Sequence, residues 1–345
     1  MSSRLLELPK AELHVHLDGS LRPETLFELA RERGVSLPAN DVAALADFMV
    51  VSDATSLEEY LERFDVTLSV LQDAEALERG AYELALDHAA ENVRYVEIRF
   101  CPLLNTDGGL SVDEVLDAAL SGLRRAEAEA GVIARVVVCA LRTLEASASL
   151  EMAELAAAYL RRGVCGFDIA GAESGFPVAD HVEAFRRAAR ASVPITIHAG
   201  EGYGPESIRQ ALELGHARRI GHGTRLREDR ELLEEVRRRQ ILLEICLTSN
   251  VQTGVVKSVA DHPARGYFRA GVPVSLCTDN RLMSGVSLTD EFGKAASHLG
   301  MTWPELCSVA RTGFEHSFVS SDIKQSLLRH FDEAVEPRGE VRPHP

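Results

Sequence analysis

Eight short apolar runs recur along this chain: Glu12–Leu17, Val93–Phe100, Ile133–Leu141, Gly166–Ala170, Ile195–Ala199, Arg219–Gly223, Ile241–Leu247 and Val274–Thr278. They are continuous rather than alternating, which is how strands buried on both faces of a parallel sheet read. Between them lie Val112–Ala130, Leu150–Arg161, Val182–Ala191, Pro205–Leu214 and Arg230–Arg239, where apolar residues return at helical spacing and charges fill the other face. Eight β-then-α units in 345 residues predict an α/β fold, a (β/α)8 TIM barrel. A doubly wound open sheet is the rival at this level.

One excursion interrupts the rhythm. Residues Val35 to Asn92 separate the first helix from the second strand and read as helical throughout, so a helical insertion after the first βα unit is expected over one end of the barrel. Thr302 to Val335 reads as C-terminal closing helices, and Pro337–Pro345 as a tail with little to order it. The expectation is one domain over residues 1–336, with the insertion at about 35–92 and a disordered tail at 337–345.

Composition narrows the partners. Against 53 Asp and Glu stand only 37 Lys and Arg, a net charge of -16, which disfavours a surface built to neutralise nucleic-acid phosphates. The start MSSRLLELPK lacks the apolar core of a secretory signal, and no stretch is long enough to span a bilayer, so a cytoplasmic protein with no membrane partner is expected. Cys101, Cys139, Cys165, Cys246, Cys277 and Cys307 form no CxxC pair and sit mostly in strand-like runs, as reduced core cysteines do.

In a barrel of this kind the active face is where the strands end. Strand one carries His14 and His16 in ELHVHLDG; two residues apart on a strand, both imidazoles share one face, which is a metal-ligand geometry. Strand five ends in IHAGE with His198 and, in the following turn, Glu201. Strand six ends in IGHG with His222, and strand eight in LCTDN with Asp279 and Asn280. Imidazole and carboxylate suit zinc, and three His with one Asp leave a position for water, so His14, His16, His198 and Asp279 are the expected ligands of one zinc ion per chain. Glu201 and His222 remain as titratable groups for proton transfer beside it.

The motifs ELHVHLDGSLRPET, FDIAGAE, HAGEGYGPESI, RIGHG, CLTSN and TDN, in this order from about Leu8 to beyond Phe318, resemble the adenosine deaminase family. The resemblance implies a mononuclear zinc hydrolase that removes the 6-amino group of adenosine and 2'-deoxyadenosine in purine salvage. By the same resemblance Glu201 is the proton donor to N1, His222 helps deprotonate and orient the attacking water, the Gly171 backbone approaches purine N3, and Asp18 binds a ribose hydroxyl; His16 borders the same substrate pocket. Asn280 stands where familiar members carry a second Asp; an Asn amide donates to N7 with no need of protonation. Strand four (GFDIAG) lacks the Lys of a two-metal site.

Competing readings share most of this. Another 6-aminopurine compound, such as aminodeoxyfutalosine, adenine or a methylthio-adenosine, would use the same chemistry, with the insertion deciding what replaces the ribose. A catalytically silent nucleoside binder would need none of Glu201 and His222. The glycines of GEGYG match no phosphate loop, the arginines at 186–187 and 237–239 read as helix-face charges, and His88, His181, His216, His262, His298, His316, His330 and His344 read as structural or exposed. The cytidine-type zinc signature is missing. Oligomeric state has no sequence signal.

Overall fold

The computed structural model describes residues 2–52 and 56–335; the expected tail at 337–345 lies outside the described residues. Eight strands form: β1 Lys10–His16, β2 Val93–Phe100, β3 Ile133–Leu141, β4 Val164–Ala170, β5 Thr196–Ala199, β6 Arg219–His222, β7 Leu242–Ile245 and β8 Val274–Leu276. They pair in parallel as two four-stranded ladders, β1 to β4 and β5 to β8. Two isolated bridges complete the circuit. Phe167 N–H donates to Pro194 O at 2.9 Å between β4 and β5. At the other seam Asp279 N–H donates to His14 O at 2.8 Å and His16 N–H to Asp279 O at 2.7 Å.

Along β1 the alternation expected from sequence is realised. Ala11, Leu13 and Val15 belong to the apolar core, where the helix Trp303–His316 packs on the strand, while Glu12, His14 and His16 fill the other face. That interior face is polar across much of the barrel. Arg99 of β2 pairs with Asp168 of β4 at 2.6 Å and with Glu244 of β7 at 2.9 Å. Arg219 of β6 pairs with the second oxygen of Glu244 at 2.7 Å and with Glu97 of β2. Three carboxylates thus surround two guanidiniums, all buried. Such a cluster contributes little net stability, but removing a single member leaves an uncompensated buried charge at a cost of about 3–5 kcal/mol.

Val112–Ala130 is helical as expected: Ser111 and Glu114 form a capping box at its start, and Gly131, at φ 70°, ends it. Two expectations shift. The helix expected from Leu150 begins at Ala146, since Ala146–Ser149 carries no apolar period to announce it. The seventh apolar run overshoots its strand, because Leu247–Gln252 turns into a short helix at the barrel mouth. The excursion also divides. Leu57–Leu61 and Phe64–Leu68 are short helices over the mouth, whereas Ala74–Ala90 packs against Val112–Ala130 and β2 as part of the barrel wall. Among the described residues no helix is long and apolar enough to cross a membrane, and all six cysteines are free and buried.

Candidate active site

The strand ends deliver their polar side chains to one place. Ligand atoms of His14, His198, His222 and Asp279 all lie within 4.8 Å of one another, and all four residues are buried. His16 joins from the edge of this group, its Nε2 3.2 Å from His198 Nε2 and 3.4 Å from Asp279 Oδ1. The four donors that converge are thus three of the expected ligands together with His222, expected for proton transfer, while His16, the fourth expected ligand, stands at their edge.

Backbone conformation at two of these positions is unusual. His222 and Asp279 both adopt positive φ, 62° in each case, a region costly for residues with a Cβ. His222 closes β6 and Asp279 lies just past β8, still bonded to β1, and at both the left-handed backbone turns the side chain over the mouth.

Behind the imidazoles stand carboxylates. His14 Nδ1 lies 2.9 Å from Glu244 Oε2, and His198 Nδ1 lies 2.9 Å from Asp168 Oδ2. Glu244 holds the ring proton of His14 on Nδ1 and turns its Nε2 lone pair toward the centre, and the Asp168 carboxylate places its charge against the same edge of His198. Burial favours the neutral acid at Asp168, but the His198 and Arg99 charges outweigh it and keep the carboxyl well below its usual range. At Glu244 burial is likewise outweighed, there by Arg99 and Arg219. Asp279 has its other oxygen, Oδ2, fixed by the Ser249 hydroxyl at 2.6 Å.

This arrangement fits a divalent cation. His14 Nε2 is buried with no hydrogen-bond partner among the described residues, and it faces Asp279 Oδ1 at 3.3 Å, acceptor against acceptor. Lone pairs of imidazole and carboxylate converging in a buried site repel one another unless a positive charge lies between them.

Glu201 occupies the turn after β5. Its backbone N–H and that of Gly200 donate to Glu173 at 2.9 and 3.0 Å. Its Oε1 accepts from Asn250 Nδ2 at 3.3 Å and from the Thr253 hydroxyl at 3.2 Å, and its Oε2 lies 3.4 Å from His222 Nε2. Burial, reinforced by the Asp279 and Glu173 charges, pushes the Glu201 carboxyl well above the usual range and favours its neutral form. Burial pushes His222 the opposite way and keeps it neutral.

Two connected spaces open above these groups. A recess of about 30 Å³ is bounded by Glu201, His222, Asp279 and Asn280 below and by Leu57, Tyr60, Leu61 and Phe64 of the short mouth helices above. It has room for water but not for a purine, so a larger ligand requires those helices to move. Past Gly171, at φ 94°, a cavity of about 300 Å³ continues to Asp18, Asp65 and Thr143. Burial raises the Asp18 carboxyl to about 7. Asn280 is 2% exposed with Oδ1 unpartnered, and it explains Gly19: a Cβ there would stand 1.8 Å from Asn280 Oδ1.

The structure therefore gathers every residue singled out from sequence around one site. Asp168, Glu244, Ser249, Asn250, Thr253 and Glu173, which sequence reasoning missed, complete it. Asp168 and Glu244 left a trace, each a lone carboxylate within an otherwise apolar strand. His262, read as one of the structural histidines, connects to the site through Asn250.

Comparison with known proteins agrees with this geometry. The sequence matches the adenosine deaminase family over residues 9–334. This chain belongs to the adenosine deaminase family. It is 40% identical to the adenosine deaminase of Mycobacteroides abscessus, over 96% of each chain. The crystal structure of adenine deaminase from Arthrobacter aurescens superposes with a TM-score of 0.89 at 29% identity, covering 96% of this chain and all of that one. An amidohydrolase from Burkholderia ambifaria, solved with bound Zn, gives a TM-score of 0.87 at 26% identity, covering 96% and 93%. The buried His/His/His/Asp centre is thus the metal site of a metal-dependent hydrolase fold.

Proposed function

We propose that the protein hydrolyses adenosine and 2'-deoxyadenosine to inosine and 2'-deoxyinosine with release of ammonia, using one zinc ion per chain. The observation that carries this reading is a buried carboxyl, Glu201, whose Oε2 lies 3.4 Å from His222 Nε2 beside the buried cluster of His14, His198 and Asp279, where burial favours its neutral form. His14, His16, His198 and Asp279 are the proposed ligands; the lone pairs of His14 and His198 are aimed by Glu244 and Asp168. When bound, zinc supplies hydroxide near neutral pH.

The remaining steps belong to side chains. Glu201 donates its proton to purine N1, which makes C6 electrophilic; the water oxygen then adds to C6, one water proton returns to Glu201 and the other passes to the amino nitrogen, which leaves as ammonia as the C6 carbonyl forms and the proton stays on N1. His222, its Nε2 3.4 Å from Glu201 Oε2, orients the attacking water. Asn280 donates its amide to N7, and the bare Cα of Gly171 lets the ring edge approach the end of β4. Asp18, its carboxyl raised to about 7 by burial, meets a ribose hydroxyl in the larger cavity. That cavity, continuous with the recess, favours a nucleoside over a free base, since adenine alone leaves it unfilled.

The site suits a small purine, and the net charge of -16 on the whole chain disfavours polymeric nucleic acid. Six free, buried cysteines support work in the reducing cytoplasm. The test is the fall in purine ultraviolet absorbance with zinc-loaded protein, comparing adenosine, 2'-deoxyadenosine, adenine and aminodeoxyfutalosine. Rapid turnover of the first two supports the proposal. Preference for adenine or aminodeoxyfutalosine reassigns the substrate, and turnover of none of the four overturns it.

A further inference from the structure

A chain of hydrogen bonds leads from the backbone to the two acid–base groups, and each link dictates the next. Ala264 N–H donates to His262 Nδ1 at 3.1 Å. A backbone amide can only donate, so Nδ1 is the bare nitrogen of His262 and Nε2 bears the hydrogen. His262 Nε2 lies 3.1 Å from Asn250 Oδ1, which also takes the Thr224 hydroxyl at 2.7 Å. Two donors on that atom identify it as the amide oxygen and fix the rotation of Asn250. Its amide nitrogen then has two hydrogens and two acceptors, His222 Nδ1 at 3.0 Å and Glu201 Oε1 at 3.3 Å.

We infer that His262, acting through Asn250, sets His222 as the Nε2–H tautomer and confines the proton of Glu201 to Oε2. The first half follows because a ring nitrogen that accepts from an amide must be unprotonated, leaving the hydrogen of a neutral imidazole on the other. The second half follows because Oε1 receives the Asn250 amide, and in a protonated carboxyl the carbonyl oxygen is the better acceptor, which leaves the hydrogen on Oε2. Both free hydrogens therefore project toward the recess, from His222 Nε2 and Glu201 Oε2, atoms 3.4 Å apart.

This changes the part that His222 plays. A neutral imidazole with hydrogen on Nε2 has no lone pair on the recess side, so it is a hydrogen-bond donor to the attacking oxygen and not the base that deprotonates it. Nor is it a metal ligand through Nε2, which separates it from His14 and His198, whose Nε2 lone pairs are free. His262 is a positioning residue. Its reach to the recess is indirect, and it touches neither the substrate pocket nor the four-donor cluster. The consequence for turnover rests on the deaminase reading; the tautomer does not.

The test is nitrogen NMR on zinc-loaded protein with ring-labelled histidine, the His222 signals assigned by their loss in His222→Gln. A protonated Nε2 and bare Nδ1 at His222 support the inference; a protonated Nδ1 overturns it, whatever the substrate proves to be. Kinetics give a second arm. In His262→Leu the amide of Asn250 is released, and kcat is expected to fall about tenfold or more with KM and zinc content unchanged. In His262→Gln, whose side-chain NH2 can stand in for Nε2–H, most of kcat is expected to return with the wild-type tautomer. Equal kcat and an unchanged tautomer in folded His262→Leu would overturn the relay. If that variant fails to fold, the wild-type tautomer and His262→Gln still decide the question.

Discussion

Glu244, in the middle of β7, holds the Nδ1 hydrogen of His14 on β1 at 2.9 Å across the barrel interior. The same carboxylate is shared by Arg99 and Arg219, so its position is set by the barrel's ionic layer and not by the metal site. In Glu244→Gln one oxygen remains to accept from His14, but the charge that raises the ring's basicity is gone. Metal affinity is expected to weaken about 10- to 100-fold, measured by competition with a chromophoric chelator. Wild-type affinity in that variant counts against the carboxylate as a tuning group.

Removing the acid should separate binding from chemistry. Glu201→Gln keeps the amide-accepting oxygen and the shape of the turn, so zinc content and KM are expected to hold while kcat drops by about 10²–10⁴. Steady-state rates beside metal analysis check this, and near-normal kcat refutes Glu201 as proton donor.

Asn280 offers a pH experiment. Its amide donates at every pH, whereas an Asp there donates only when protonated. Asn280→Asp is expected to stay active at low pH and to lose activity as pH rises through the pKa of the new carboxyl. A pH profile superimposable on wild type would remove Asn280 from contact with N7.

Acid stability should report on His262. Burial, with the nearby Arg227 charge, lowers its pKa to about 3, against 6.5 for the exposed ring. Below 6.5 the unfolded chain takes up a proton that the folded one refuses, so stability present at pH 7 is lost as pH falls toward 3. Between pH 7 and 5 this amounts to about 2 kcal/mol. Urea unfolding of His262→Gln should lack that component of the acid slope, and an identical slope would mean that His262 is already protonated in the fold.

Gly19 should resist even one methyl group. A Cβ would stand 1.8 Å from Asn280 Oδ1, with the Asn280 side-chain carbons also too close to yield. Gly19→Ala is expected to cost about 1–3 kcal/mol in stability and to raise KM by displacing Asn280. Thermal denaturation and KM together check it; a neutral result places Asn280 elsewhere.

Much of this was legible in the sequence because the barrel writes its plan locally. The eight strands announced themselves as apolar runs, and the reactive side chains stood at their ends, where His198, His222 and Asp279 could be read from strand position alone. Asn250 and Thr253 were not legible, because the apolar run of strand seven extends to Leu247 and hides the turn into the helix Leu247–Gln252, which carries Asn250 and is capped by Thr253. Distance in the chain concealed other partners. Nothing near His14 in sequence points to Glu244, 230 residues away, and only the curvature of the sheet brings them together. His262 was passed over because it lies off every strand; its importance arises from one backbone amide and one side-chain amide that no spacing rule encodes.

The two four-stranded ladders meet only at short seams, and Asp279 makes its backbone bonds within one of them. The proposed ligands His14 and His16 come from the first ladder, His198 from the second, and Asp279 from the seam itself. Neither half of the chain alone contains the full donor set, so a high-affinity centre exists only after residues more than 260 apart have met. An ion held by that donor set would bind only once the two halves have met and would act as a clasp between them, its binding free energy adding to the stability of the joined ladders.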